Sequence, residues 1–481
     1  TPPSGNGMGT TSTAIGSVTA LVTVYGLALW SGLYLIGRDP RSSRLLLTGL
    51  GLLTYAFAVA CDLLADAASP GLAVALARVG WPLLLLPALF WTGVLIRLLP
   101  EEVAFRERLS RTWNRLALPV AVLLLLLVSF GTDLAVGGSG RLASSVSQAV
   151  LGCAVLAPML ALGYLVWRSR RRGRVREVTG LLVVFTLFFG LSSALIFFPL
   201  GWFPPLWAML AVGVDLILLG LATAYFDAFD QGQALLPDMI RSLDAAAIAA
   251  LVFGGQVGLV MVFATGATLP MLILLLGTVA SAVTAATLAG PLGAALDRLA
   301  LGRLPRVRQA RSELRATASA LPRANPELDL SKLDEEDFVR LTRRALSSFG
   351  DLPRLSASPL ANLPIIERRL AARNAPDDPL ERAAELKALL AEGIDRLKPR
   401  TDAAFGTSDE WRYYNALHFP YVVGLKPYSS RNKIKPADPA AREALEWFRT
   451  RVPERTLYNW QNAAAGLVAR DLLARSASSP R

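Results

Sequence analysis

Lysine is missing from the first 300 residues of this 481-residue chain, and the first one is Lys332. A retinal protein carries its chromophore as a Schiff base on a lysine inside a span, so that class is excluded. Histidine is almost absent as well, with His418 the only one. Haem held by two axial histidines is excluded, and a metal-phosphohydrolase cluster has nothing to build on. His418 lies in NALHFPYV without an acidic neighbour; it reads as a packing or hydrogen-bonding residue rather than a pH switch. The two cysteines, Cys61 and Cys153, fall inside apolar runs at different expected depths. They read as apolar fillers, not as a disulfide or a metal pair. No nucleophile–base pair or metal set stands out, so no enzyme, cofactor or metal site is expected.

Apolar sequence is what the chain has in quantity. Nine runs are long enough to cross roughly 30 Å of hydrocarbon, which takes about 20 residues each. They lie near 12–36, 44–66, 72–96, 115–136, 143–167, 178–199, 205–226, 246–264 and 269–295. Arginines fill every second connection: Arg38, Arg41 and Arg44, then Arg97, Arg106, Arg108, Arg111 and Arg115, then Arg168, Arg170, Arg171, Arg172, Arg174 and Arg176, then Arg241. Arg298 comes after the last run, and only Arg78 and Arg141 fall on the other side. Positive residues stay in the cytoplasm, so the N-terminus is expected outside and everything after residue 298 inside. The start lacks a basic segment and its apolar run is too long for a signal peptide, so no cleavable signal is expected. Residues 1–11 read as a disordered outer leader, in which TPPSGNG before Met8 is a short extension or a non-native remnant.

The net charge of +12 is split: residues 1–300 carry 18 basic and 14 acidic groups, residues 301–481 carry 31 and 23. The excess is juxtamembrane and cytoplasmic, which fits topology and attraction to anionic head groups. Charge alone does not argue for nucleic acid.

Between Leu27 and Leu99 the chain has a polar RDPRSSR turn after the first span, an acid near the outer end of the second, and RVGWPLLLLPALF in the third. These landmarks, with short outer loops over residues 12–228, resemble the N-terminal seven-helix sensor region found ahead of bacterial histidine kinases. The resemblance implies reception of a signal in the membrane or at its outer face. The chain departs from that family after the seventh span: there is no phosphoacceptor box, glycine-rich ATP lid or cyclase signature, and two more spans are added.

Ionisable groups inside spans are few, too few for the relay of a pump. Asp215 lies mid-span in AVGVDLILLG. It reads equally as a ligand-contacting or proton-sensing group and as an acid hydrogen-bonded to a neighbouring helix. Asp62, Asp66 and Arg78 fall near the outer ends of spans two and three, where a structural ion pair is the first reading and ligand sensing the second. Pro82, Pro87 and Pro158 interrupt helices. Trp202, Phe203 and Trp207 read as interface anchors.

Spans eight and nine carry small residues at four-residue spacing: Ala250, Gly254 and Gly258, then Gly277, Ser281, Ala285, Ala289 and Gly293. Such stripes let helix backbones approach closely. Residues 246–297 are expected to form a hairpin that packs on itself or on the bundle, with homodimerisation through the ninth span as the sharper reading and Gln256 as a polar contact. The connection 229–245 reads as an amphipathic segment at the inner interface.

Residues 298–322 read as a basic linker helix leaving the membrane, with arginines 306, 308, 311 and 315; a two-state signal helix is one reading and a basic interfacial helix the plainer one. Residues 323–474 read as an all-helical domain and 475–481 as a disordered tail. Ser331 is expected to cap a helix over 333–349 whose inner face is Phe338, Leu341 and Ala345. Further helices are expected over 360–373, from Asp378–Pro379 to Leu397, over 411–417, 439–450 and 454–473, with Tyr421 to Leu425 extended. In the helix to Leu397, Leu380, Ala383, Leu386, Leu390, Ile394 and Leu397 are the inward residues.

The stretch EALEWFRTRVPERTLYNWQNAA, residues 443–464, resembles a helix-turn-helix. Under that reading Arg455, Tyr458, Asn459 and Asn462 would meet the groove, while Arg449 and Arg451 would hold phosphates. Trp447 and Arg451 stand where the motif wants a small residue and a glycine. Without DNA, Leu457, Trp460, Ala464 and Leu467 are a core face. The aromatics and basic residues from Trp411 to Lys435 suit single-strand binding, but read first as core and solvated loop.

The expected architecture is all-α: a polytopic protein of the prokaryotic cytoplasmic membrane with about nine spans and a cytoplasmic helical domain. The leading function is non-enzymatic signal reception passed to a protein partner or, second, to DNA; its partners are the lipid bilayer, a protein or a second copy, and a small apolar ligand. A structural or accessory subunit of a membrane complex and a transporter are the alternatives; no inverted repeat is visible for the latter.

Overall fold

The computed structural model describes residues 7–99, 105–135, 140–169, 174–197, 204–231, 233–301, 304–320, 330, 333–401, 403–428 and 438–477. All regular structure among them is helical. Nine helices among the described residues are long and apolar enough to cross a membrane: Gly16–Arg38, Ser43–Asp66, Pro70–Leu98, Arg106–Leu127, Val150–Arg168, Thr179–Ile196, Pro205–Ala228, Leu236–Thr265 and Leu269–Thr287. In hydrocarbon only a helix satisfies every backbone group within its own segment, so each apolar run of this length folds this way.

The chain divides into two compact units, one of Thr1–Asp227 with Met239–Leu296, the other of Ala228–Asp238 with Asp297–Arg481. The first is built from α1 (Gly7–Arg38), α2 (Ser43–Asp66), α3 (Pro70–Leu98), α4 (Arg106–Thr112), α5 (Leu118–Ala135), α6 (Gly140–Arg168), α7 (Arg174–Phe197), α8 (Pro205–Gln231), α9 (Leu236–Val260) and α10 (Leu269–Thr287). Helix α1 begins at Gly7, so residues 7–11 are helical rather than a disordered leader; residues 1–6 lie outside the described set. Pro82, Pro87 and Pro158 sit inside α3 and α6, which continue through them.

Helices α1, α2 and α3 pack side by side, and α10 lies against α1 and α2. The α1–α2 contact is set by two glycines outside the small-residue stripes. A Cβ on Gly49 would lie 2.7 Å from the Gly32 carbonyl oxygen, and one on Gly32 would lie 2.8 Å from the Gly49 carbonyl oxygen. Only hydrogen fits at either position, so the backbones touch there. Three long-range hydrogen bonds tie further helices: Tyr55 Oη to the Met209 carbonyl at 2.5 Å, Trp91 Nε1 to Thr186 Oγ1 at 2.8 Å and Tyr25 Oη to the Leu276 carbonyl at 3.4 Å.

The small-residue stripes of spans eight and nine are used unevenly within the chain. Gly254 alone makes a close approach, where a Cβ would lie 2.7 Å from Val279 Cγ2. Gly258 and Gly277 would meet nothing within 4 Å. Ser281, Ala285 and Gln256 are exposed.

The second unit holds the end of α11 (Ala289–Ala300), then α12 (Pro305–Ala320), α13 (Glu335–Ser347), α14 (Leu352–Ser356), α15 (Pro364–Ala372), α16 (Pro379–Asp395), α17 (Arg412–Leu417), α18 (Pro439–Arg451) and α19 (Glu454–Ala477). Its core joins Phe338, Leu341, Leu386, Leu390, Ile394, Leu417, Val468 and Leu472. The cap of α13 is Asp334, whose carboxylate accepts from the Asp337 amide at 2.7 Å; Ser331 lies outside the described residues. Asp378 caps α16 by accepting from the Leu380 and Glu381 amides, a bond set worth about 1 kcal/mol. Leu380, expected inward, is 42% exposed because the first turn of α16 overhangs the core. His418–Val422 forms a wide π-helical turn that takes in Tyr421 and Val422 of the expected extended piece, since its carbonyls close on the chain itself, as in Val423 N–H to the His418 carbonyl at 3.0 Å. Residues 475–477 are helical, not a tail, because Arg475 pairs with Glu392 at 3.0 Å.

Candidate functional site

Four places in the first unit bring chemistry-bearing residues together. The first is the turn after α1. Asp39 accepts from the Arg41 amide at 3.1 Å and shapes the turn. Arg38 is buried and donates to Tyr34 Oη at 3.1 Å. Arg44 sits with its guanidinium carbon 4.9 Å from the centre of the Phe226 ring, and its Nη2 lies 3.8 Å from Asp227 Oδ1. Ser42 Oγ donates to the same oxygen at 3.4 Å. Asp227 is 1% exposed. Sequence pattern misses this buried acid, because it falls just past the apolar run 205–226, at the edge of the connection 229–245. Its only signal is the RDPRSSR turn, far earlier in the chain, needing an anion.

The second place is Asp215, half-buried in α8, whose Oδ2 accepts from Ser192 Oγ of α7 at 2.6 Å. The hydrogen bond satisfies one oxygen within the bundle. The third is the end of α2, where Asp62 and Asp66 stand one turn apart and are both exposed. Arg78 lies on α3, and its carbonyl accepts from Ser129 Oγ of α5. The sensing candidates are therefore not one site: Asp215 is held by Ser192, whereas Asp62 and Asp66 neighbour each other on α2. Trp207 is 60% exposed, and Trp202 and Phe203 lie outside the described residues.

The fourth place is a groove of about 1020 Å³ between α1, α9 and α10. Its walls include Gly26, Ala246, Ala250, Gly254 and Gly258, whose small side chains leave the space open. Two of the polar side chains on it are hydrogen-bonded within the chain. Thr23 Oγ1 donates to the Thr19 carbonyl at 2.8 Å, and Trp30 Nε1 donates to Ser242 Oγ at 3.2 Å. An occupant finds apolar surface and few open hydrogen-bonding groups, so the groove suits hydrocarbon rather than a polar solute. Among the described residues no group of three His, Cys, Asp or Glu stands together as a metal set.

In the second unit the helix-turn-helix segment folds as α18, a turn at Val452–Pro453, and α19. Ala444, Phe448, Val452 and Leu457 fill the crossing. Trp447 turns aside and stacks on Trp460, ring centres 5.9 Å apart at 18°, which relieves the crowding its size implied. Helix α19 packs on α13, α16 and α17 and buries Leu457, Ala464, Ala465, Val468 and Leu472. Tyr458 is bound by Arg343, which donates to its hydroxyl and lies 4.7 Å over its ring. Asn462 Oδ1 is buried. Arg451, Arg455 and Asn459 are exposed, and Arg449 donates to the Pro427 carbonyl at 2.9 Å. The six candidate nucleic-acid residues therefore do not form one open face.

Of the aromatic and basic stretch from Trp411, Tyr414 and Phe419 are buried and Tyr428 donates to the Val452 carbonyl at 2.7 Å; Arg431, Lys433 and Lys435 lie outside the described residues. His418 stacks on Tyr414 with ring centres 4.7 Å apart. Burial pushes the His418 imidazole below its ordinary value and the Tyr414 phenol up to about 12. Comparison with known proteins finds no family model, no curated protein and no solved structure that matches the chain.

Proposed function

We propose that the chain is a non-enzymatic signal transducer of the prokaryotic cytoplasmic membrane. It takes a small apolar ligand between its spans and passes the signal to its C-terminal helical unit in the cytoplasm. The observation that carries this reading is the groove between α1, α9 and α10, with Thr23 and Trp30 hydrogen-bonded within the chain. Orientation rests on the arginines, sixteen of eighteen on one side in residues 1–300. The route outward is the chain itself: α10 leads through α11 to Asp297, which holds Arg311 and Arg315 of α12 at 2.9 and 2.6 Å. Output goes to a protein partner; DNA is the second choice, because Tyr458 is held by Arg343 and Asn462 Oδ1 is buried.

The test uses the full chain in lipid nanodiscs with hexadecanol as the apolar probe, read by amide hydrogen exchange. Protection in α9 and α10 accompanied by altered exchange in α12 is the expected result. Protection of α9 and α10 with α12 unchanged would separate binding from signalling and remove the transducer reading. An accessory-subunit role is the second reading, favoured by the exposed small face of α10 at Gly277, Ser281 and Ala285. Subunits that copurify and are lost in Ser281→Leu would favour it. Transport ranks below both, since few ionisable groups lie inside the spans.

A further inference from the structure

We propose that the segment from Asp297 to Leu314 is seated on an anionic lipid surface, with leucines in the head-group boundary and arginines on lipid phosphates. The docking stands whether or not the transducer reading does.

The ninth span ends at Thr287. Its 19 residues cover about 28 Å at the helical rise, close to the roughly 30 Å of hydrocarbon. Chain continuity therefore brings α11 and α12 to the edge of the bilayer. One acid holds these two helices in shape. Asp297 has a side chain 10% exposed, and its two oxygens meet Arg311 Nη1 at 2.9 Å and Arg315 Nη2 at 2.6 Å. A second tie is the backbone turn between them, Leu301 N–H to the Asp297 carbonyl at 2.9 Å and Leu304 N–H to the Leu301 carbonyl at 3.0 Å.

With that shape fixed, three leucines of the segment stay exposed. Leu299 is 83%, Leu304 54% and Leu314 71% exposed. Such side chains clustered within a few helical turns mark a contact surface. Charge selects the occupant. Asp297 pairs with both Arg311 and Arg315, which leaves one positive charge there, and Arg306 and Arg308 are exposed and meet no carboxylate among the described residues. An apolar protein groove would cover the leucines and leave both arginines to be paired. An anionic bilayer surface takes leucines and arginines together, as interfacial amphipathic helices do.

The test uses the full chain with Cys61 and Cys153 replaced by alanine and a spin label at Leu314→Cys. The chain is placed in nanodiscs of phosphatidylcholine alone or with phosphatidylglycerol, and relaxation by oxygen and by a water-soluble nickel complex gives the depth of the label. With phosphatidylglycerol the label is expected at the head-group boundary. Each of Arg306→Ala and Arg308→Ala should lower the docked-to-undocked ratio about fivefold, and salt should lower it too. A label open to nickel in both compositions overturns the proposal. So does one equally immersed in both and unmoved by the arginine variants. Immersion only in discs that hold two chains would reassign the surface to a second copy. If Leu314→Cys does not fold, a label at Leu299→Cys reads the same depth.

Discussion

Gly49→Ala tests the packing of the first unit most directly. The added methyl would lie 2.7 Å from the Gly32 carbonyl oxygen and 2.7 Å from Ile36 Cγ1, where ordinary contact begins at 3.4 Å. Ile36 can turn; the carbonyl is part of the α1 ladder and cannot. Helices α1 and α2 must therefore part by about 0.7 Å at this level, and the neighbouring side chains lose contact along the seam. Overpacking of this kind costs about 1–3 kcal/mol. Replacing glycine inside a helix returns about 1 kcal/mol of propensity. The net expectation is a loss of about 0–2 kcal/mol, which is about 1–3 kcal/mol worse than a glycine replacement that meets nothing. Gly277→Ala is the matched control, since its methyl meets nothing within 4 Å; it should be neutral or slightly stabilising. Gly32→Ala strains the same contact from the other side. One separation relieves both, so the double variant should cost little more than the worse single one, a clear departure from additivity. The assay is reversible unfolding of the full chain in mixed micelles, followed by circular dichroism as denaturing detergent is added. A Gly49→Ala protein as stable as Gly277→Ala, or a double variant equal to the sum of its parts, would refute the close crossing.

Asp227→Ala should lower stability in the same assay by about 2–3 kcal/mol, because it removes the buried carboxylate that Arg44 and Ser42 share; Asp227→Asn, which keeps an acceptor for Ser42, should lose less. In the second unit, hydrogen bonds from Arg369 at 2.7 and 2.9 Å hold the Glu392 carboxyl below its ordinary value. A depressed carboxyl stabilises the fold above its unfolded value of about 4.5 and loses that contribution as pH falls through the folded value. Acid titration of α16 and α19 exchange should therefore show loss below about pH 4.5, and Glu392→Gln should flatten that slope. Gly258→Leu places bulk in the groove where a Cβ meets nothing. It should abolish hexadecanol protection of α9, while Leu259→Trp on the exposed side should leave it; equal effects would mean the groove is not the binding place.

Nine helices long and apolar enough to cross a membrane, a helical second unit and the Asp378 cap were legible in the sequence because each is a local property. Hydrocarbon demands a helix of fixed length, and a cap or an i, i+4 face is complete within a few residues. The spacing of small residues was just as visible, yet it pointed to α9 and α10, where Gly258 and Gly277 touch nothing. The close contact fell on Gly32 and Gly49, because a glycine's role depends on which helix stands opposite. Asp227 could not be paired with Arg44 from the sequence, nor Tyr458 with Arg343, since neither partner lies within a helical turn of the other. The groove, too, exists only once α1, α9 and α10 are assembled. Sequence by itself determined which segments are helices and which of them are apolar enough to cross a membrane, through hydrogen bonding and hydrophobicity that act along the chain. Tertiary structure alone decided which polar groups are satisfied, which small residues meet and where space is left, because those outcomes depend on pairs of surfaces brought together across the fold.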